Sequence, residues 1–372
     1  MKTLNDITSN STNGSTKENI NMATLSYSVT ERALRSPVEE WQPHGKQSAS
    51  STEWWYLTAV VHDTAGNPYF LAWCPFHFSG EKTSPASAGL PPNQRAVAIM
   101  TGFTDYRDNI RISDFPVAVV NEADTWEPRI NALRAAAGDY SSEWSYNGDS
   151  MNLSVASPQL SYDVRITGAE QVMYAKDKLG ISGFIQEGAS DDRSYYYSLP
   201  RVQIEGRVSY TGKGGVRRDI DVTGQGWVDR QWGDFLTKSW EWSSVRFSSG
   251  ARLNLYNFAN GYQVATYQKA DGTTQWLDSF VVRQNGYLKT PKQGVWLSWG
   301  WSYEFPVAVE GSRRYTLVPL SKLDVFENGN NVLFEGPSRL MNDDTGEMVG
   351  AAVTESMDIR IMQNGPYAAN QH

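Results

Sequence analysis

Short apolar or alternating runs, broken by turn residues, repeat along most of the chain, and this pattern predicts strands. The runs are Glu53–His62 (EWWYLTAVVH), Tyr69–Phe78 (YFLAWCPFHF), Ala96–Phe103, Ser161–Ile166, Tyr195–Ile204, Ile220–Trp227, Arg252–Phe258, Gln263–Gln268, Trp296–Phe305 and Tyr315–Pro319. Between them stand hairpin signals: Asp63-Thr64-Ala65-Gly66-Asn67, Asn147-Gly148-Asp149, Thr211-Gly212-Lys213-Gly214-Gly215, Asp271-Gly272 and Asn328-Gly329-Asn330. Even spacing of strands and turns predicts an all-β fold, an antiparallel barrel or sandwich. Only Ile130–Ala137 (INALRAAA) reads as helical, and it is short for a stable helix. Heptads and repeats of 20–50 residues are absent.

A chain of 372 residues exceeds what one core usually organises, so two domains are expected. The Gly-rich, basic turn Tyr210–Arg218 separates two strand-dense halves and places the boundary near 205–218. The expected division is a disordered tail over residues 1–25, one β domain over 26–212 and a second over 213–365. The tail is rich in Ser, Thr and Asn and has no apolar core segment, so it does not read as a secretory signal. Met22 is a candidate start within it. No run of 18 apolar residues predicts a transmembrane helix, and no stable membrane insertion is expected. Cys74 is the only cysteine, so no disulfide within the chain is possible and an oxidising compartment is not required. A cytoplasmic protein is the simplest expectation. The net charge of −8, with dispersed Lys and Arg, argues against a nucleic-acid partner, because nothing neutralises a row of phosphates.

Composition changes the picture in one respect: 14 Trp, 19 Tyr and 13 Phe are more aromatics than strand propensity alone demands. The Trp residues come in groups, at Trp54-Trp55, Trp227 with Trp232, Trp240 with Trp242, and Trp296, Trp299 and Trp301. Aromatics fill wide barrel cores, and they also build apolar ligand sites. Other chemistries lack their motifs. His44, His62, His77 and His372 are the only histidines and form no zinc-binding spacing. Nucleotide-binding glycine loops and Gly-x-Ser-x-Gly are absent. Cys74 sits within an apolar strand and reads as buried rather than nucleophilic. Chemistry is left to carboxylates, phenols, a guanidinium and aromatic faces.

The strongest constellation is Gly224–Asp234 (GQGWVDRQWGD). Gly224 and Gly226 permit a bulge or a close backbone approach. Two-residue periodicity puts Trp227, Asp229 and Gln231 on one face and Arg230 with Trp232 on the other. Burying a charged pair among Trp residues is costly unless each charge is partnered. Asp229 and Arg230 are expected to hold each other and position the junction. Two further constellations are Glu53-Trp54-Trp55-Tyr56 and Tyr195-Tyr196-Tyr197-Ser198-Leu199-Pro200-Arg201. A barrel floor and a ligand wall fit both equally. The pocket-facing side stays open, because a one-residue slip of register reverses it.

Taken in order, E-W-W-Y from Glu53, Y-Y-Y-S-x-P-R from Tyr195 and G-x-x-W-x-D-R-Q-W-G from Gly224 resemble one lipocalin-like family. It is the family of hydroxyneurosporene synthase (carotenoid 1,2-hydratase) and AttH-type proteins. Trp240-x-Trp242, Leu255-Tyr256 and the Gly336…Gly346…Gly350…Glu355 segment fit it too, so the resemblance spans roughly residues 40–360. It implies two packed lipocalin-like β domains with a hydrophobic pocket at their junction. Its members include carotenoid hydratases, a fungal isoflavonoid hydratase and natural-product Diels-Alderases, all working on apolar unsaturated molecules without a redox cofactor. The sequence departs from the hydratases in two places. Arg230 stands where they commonly carry His, and Leu255-Tyr256-Asn257-Phe258 keeps the later Tyr but lacks the Asp.

Three functions follow from the resemblance. The first is a cofactor-independent cyclase, in which a shaped aromatic pocket orients a polyene, polyketide or terpenoid and Arg230 or Tyr256 donates to a substrate carbonyl. The second is a hydratase or dehydratase of an isoprenoid-like alkene, which needs Asp229 or Glu53 as an acid of raised pKa among aromatic faces. The third is a carrier of a lipophilic molecule. Arg230, Asp229 and Tyr256 are the candidate catalytic residues. Glu53, Trp54, Trp55, Tyr56, Tyr196, Trp227, Trp232 and Trp242 are candidate substrate contacts. No cofactor or metal is expected, and the expected partner is a hydrophobic small molecule.

Overall fold

Alternation along the chain becomes antiparallel strand, and the least alternating runs become the strands buried on both faces. The computed structural model describes residues 34–44, 52–78, 89–176, 180–186, 193–234, 240–259, 261–277, 279–328 and 331–357. The expected tail 1–25, His372 and the tip of the Asn328-Gly329-Asn330 turn lie outside the described residues. The described residues are all-β, organised in one sheet of 15 strands, one of 10 and a small pair.

In the first sheet, Thr52–Asp63 lies between Pro68–Phe78 and the 18-residue strand Arg217–Asp234. The long strand pairs along its whole useful length with Thr52–Asp63, from Thr52 opposite Gly233 to Asp63 opposite Val222. Its other edge is shared by two strands. Gln203–Thr211 takes the first half and Arg193–Leu199 the second. The fork falls at Gly226, whose amide donates to the Val202 carbonyl at 2.9 Å. Close approach explains both glycines named above. A Cβ on Gly224 would stand 2.2 Å from the Val60 carbonyl oxygen, and one on Gly226 2.7 Å from Ile204.

The second sheet runs from Thr274–Leu277 through Gln263–Gln268, Arg252–Phe258 and Trp240–Phe247 to Met348–Met357 and Asn331–Asn342. It then continues through Ser312–Pro319 and Trp301–Val309. The chain changes sheet between Asp234 and Trp240. The Gly-rich turn at 210–218, read from the sequence as the boundary, is instead a hairpin inside the first sheet, joining Gln203–Thr211 to the long strand. Ile130–Ala137 is also corrected. Ala132–Ala137 is a strand paired with Tyr140–Tyr146, with Leu133, Ala135 and Ala137 buried and Arg134 and Ala136 exposed. Alanine favours helix, but propensity is worth only roughly tenths of a kcal/mol per residue, and period-two burial against a neighbouring strand overrides it.

Each sheet curls around its own core. Trp55, Leu57, Ala59 and Val61 point into the first, and Val245, Leu253, Leu255 and Trp301 into the second. A third buried cluster lies between the sheets and draws on their opposite faces: Trp54, Tyr56, Phe70, Cys74, Tyr196 and Trp227 from one, Trp242, Tyr256, Phe258, Leu333 and Val353 from the other. This explains why Glu53–His62 and Tyr69–Phe78 read as continuous apolar runs, since side chains of both parities are buried. Among the described residues no helix is long and apolar enough to cross a membrane.

Candidate functional site

The second half of the long strand separates two kinds of chemistry by side-chain parity. Trp227, Asp229 and Gln231 face the junction, while Val228, Arg230 and Trp232 face the core of the first sheet. The faces follow the periodicity of the sequence. The expected Asp229–Arg230 pair does not form, because neighbouring residues of a strand leave on opposite sides. Each charge has a separate set of partners.

Arg230 is fully buried and every N–H it carries is occupied. Nε donates to the Glu40 carbonyl at 3.2 Å, and Nη1 to the carbonyls of Trp54 at 3.3 Å and Gln231 at 3.0 Å. Nη2 meets Glu53 Oε2 at 2.6 Å, His44 Nδ1 at 2.9 Å and the Gln42 carbonyl at 3.2 Å. The guanidinium carbon lies 3.8 Å from the Trp55 ring centroid and 4.8 Å from that of Trp232, and the His44 ring stacks on Trp232 at 4.4 Å. Glu53 also accepts from the His44 amide and from Arg95 at 3.2 Å. Its burial opposes ionisation, but Arg230 and the histidines hold its carboxyl well below the usual range. His77 completes this layer. Burial pushes its pKa down to about 4, and Nδ1 accepts from Arg95 at 3.0 Å. Glu53, Trp55, Trp232 and Arg230 therefore form a latch that ties residues 40–44 to the sheet.

The junction face carries acids of the opposite character. Cross-strand register aligns Tyr56, Asp229 and Ser198 in one row of the first sheet. It aligns Glu335, Glu355, Trp242 and Tyr256 in one row of the second. The rows meet where the Tyr56 hydroxyl donates to Glu335, the Tyr56 ring packs on Trp242 at 5.6 Å and Tyr256 donates to Gln231 at 3.2 Å. Asp229 Oδ1 accepts from Ser198 at 2.6 Å and from the Trp227 indole at 2.7 Å. Tyr196 supplies a third hydrogen bond to the same carboxyl. The Tyr196 hydroxyl lies 2.9 Å from Ser198 and accepts from Asn254 at 2.9 Å, which extends the network across the junction.

Burial dominates the titration of these groups. It raises Asp229 to about 7 against three lowering hydrogen bonds, and raises Glu335 to about 7 against its bond from Tyr56. Glu355 is pushed well above the carboxylate range, first by burial and then by repulsion from Glu335 and Asp229. Nearby, burial raises Asp324 to about 6, and it accepts from Thr104 at 2.6 Å and Tyr106 at 3.0 Å across the sheets. Burial also lifts the Cys74 thiol, and the surrounding acids lift it further, so the buried thiol stays protonated and unreactive. The result is a set of carboxyls that keep or exchange protons near neutrality, walled by Trp and Tyr faces.

Of the eleven residues singled out from the sequence, Asp229, Tyr256, Trp54, Tyr56, Tyr196, Trp227 and Trp242 come together at the junction. Arg230, Glu53, Trp55 and Trp232 gather in the latch on the other side. Sequence reasoning missed Glu335 and Asp324 and gave Glu355 no chemical role. The available signal was a lone acid inside an apolar run, as in Val332-Leu333-Phe334-Glu335.

These protons set a pH dependence. Free carboxyls titrate near about 4, so between about 4 and 7 the folded chain holds protons on Asp229 and Glu335 that the unfolded chain releases. Their contribution to stability is complete below that window and is lost as pH rises through it. Glu53 acts in the reverse sense, its contribution being present above its unfolded pKa and lost on acidification. Glu335→Gln is expected to flatten the fall in melting temperature between about pH 4 and 7. Thermal unfolding across a buffer series measures it, and an unchanged slope would mean that Glu335 is ionised throughout.

A family model described as AttH-like matches residues 32–355. Among solved structures, the fold is similar to an AttH protein of Nitrosomonas europaea, with TM-score 0.69 and 18% identity over 88% of this chain and 97% of that one. It is also similar to kievitone hydratase of Nectria haematococca, with TM-score 0.59 and 15% identity over 89% of this chain and 94% of that one. No curated protein sequence matches.

Proposed function

The chain belongs to the AttH-like family, and from that premise and the junction acids we propose that it adds water to, or removes it from, an alkene of a largely apolar small molecule. The observation that carries this is the trio of buried Asp229 and Glu335 and part-buried Glu355, set among aromatic faces with their protons retained toward neutrality. A general acid works best when its pKa lies near the operating pH. Asp229 gives its carboxyl proton to one alkene carbon. The positive charge left on the other carbon faces Trp227 and Trp242, whose π-faces stabilise a cation. Water attacks that carbon and its surplus proton passes to Glu335, which is ionised in part near neutrality because its pKa is about 7. Return of a proton to Asp229 completes the cycle, with one water gained by the substrate. Dehydration is the same sequence reversed.

Likeness to a protein named for a hydratase activity agrees with this chemistry. The cyclase alternative uses Arg230 or Tyr256 as a donor to a substrate carbonyl. All of the Arg230 N–H groups are engaged on the far side of the strand, which leaves Tyr256, itself donating to Gln231 at 3.2 Å, for that role. A panel of isoprenoid and phenolic alkenes incubated with the protein separates the possibilities. Gain or loss of one water supports the proposal. A product of unchanged mass identifies a cyclase or isomerase, and tight binding without product identifies a carrier.

A further inference from the structure

The junction face of the second sheet carries a second row, four residues along the strands from the acid row and therefore roughly 13 Å away. Register aligns Arg339, Ala351, Arg246 and Arg252 across four adjacent strands. The row forms one wall of an open cleft of about 1020 Å³ between the sheets, faced by His62, Gln203, Thr223 and Gln225 of the first.

Arg246 is only 7% exposed, yet its Nη1 is buried with no hydrogen-bond partner, and no carboxylate pairs with it among the described residues. Arg252, 8% exposed, donates only to neutral carbonyls, those of Pro200 at 2.9 Å, Gly250 at 3.0 Å and Ala251 at 2.9 Å. Arg201 nearby does the same, toward Gly250 at 2.5 Å and Lys269 at 2.8 Å. The carboxylate on the cleft wall, Glu205, is exposed and lies 4.0 Å from Arg165.

Like charges directly opposite on neighbouring strands destabilise a sheet, and a buried charge without a partner costs several kcal/mol in general. Burial lowers the proton affinity of both arginines, and for Arg252 the other two guanidiniums lower it further. Among the described residues no carboxylate offsets this cost. A bound oxyanion would, because guanidinium forks match carboxylate and phosphate oxygens. We propose that the cleft is an anion-binding site, in which Arg246 and Arg252 hold the carboxylate or phosphate group of a small molecule and Arg339 guards the rim.

Calorimetric titration with inorganic phosphate, decanoate and neutral decanol tests the site on the intact chain. An oxyanion is expected to bind saturably, decanol far more weakly, and the tighter of the two anions identifies the head group. Arg246→Gln is expected to weaken that binding at least about 10-fold. Arg246→Met is expected to keep or raise the melting temperature without anion, since it removes an unpaired charge, whereas a structural arginine would lower it. Asp229→Asn is expected to leave anion binding intact, which separates failure of the alkene chemistry from failure of this site. Absence of saturable anion binding, or full affinity in Arg246→Gln, overturns the proposal.

Discussion

Asp229→Asn is expected to lower turnover by about 10²- to 10⁴-fold, the usual contribution of a positioned acid, while the fold survives. Asparagine keeps an oxygen where Oδ1 accepts from Ser198 and Trp227, so the junction retains its shape. What is lost is a proton that can be given away. The wild-type rate should fall as pH rises past about 7, where Asp229 ionises, and the variant should show no such limb in what activity remains. Steady-state rates on any alkene that the panel identifies, measured across pH beside a melting curve, check both expectations. A variant with wild-type turnover removes Asp229 from the chemistry.

Arg230→Met should instead act on the fold, at a cost of about 3–5 kcal/mol, the range found when one partner of a buried ion pair is removed. The substitution leaves Glu53 ionised and buried, held by Arg95, the His44 amide and the His44 and His77 rings without the Arg230 guanidinium. It also frees the carbonyls of Glu40, Gln42 and Trp54. Arg230→Lys should recover only part of the loss, because an ammonium has three donors in place of a five-donor planar fork and stacks poorly between Trp55 and Trp232. Chemical denaturation measures the difference. A Met variant within 1 kcal/mol of wild type, on the order of an ordinary surface change, would mean that the latch is dispensable.

Much of the architecture was legible because it rests on period-two patterning and turn chemistry, which are local. The strands, the hairpin turns and the split of Trp227 and Asp229 from Arg230 and Trp232 all follow from alternation. The change of sheet after Asp234 was not legible. The Gly-rich segment 212–216 reads as a break in the sequence, and only the pairing of Arg217–Asp234 with Gln203–Thr211 and with Thr52–Asp63 reveals that it is a turn within the first sheet. The candidate site was half legible. Aromatic motifs marked its first wall, but Glu335 and Glu355 become a pair only through the register of Asn331–Asn342 against Met348–Met357. The partner of Arg230 was equally hidden, since Glu53 lies far away in sequence and reaches it through the antiparallel neighbour of the long strand.

The pairing of Glu53 with Trp232 also has a consequence for how the molecule is made. The strand that completes the first sheet leaves the ribosome long after the one it must flank. At about 5–20 residues per second, Thr52–Asp63 waits on the order of 10 to 35 seconds with an apolar edge uncovered. Throughout that interval the nascent chain presents a template for pairing with other chains.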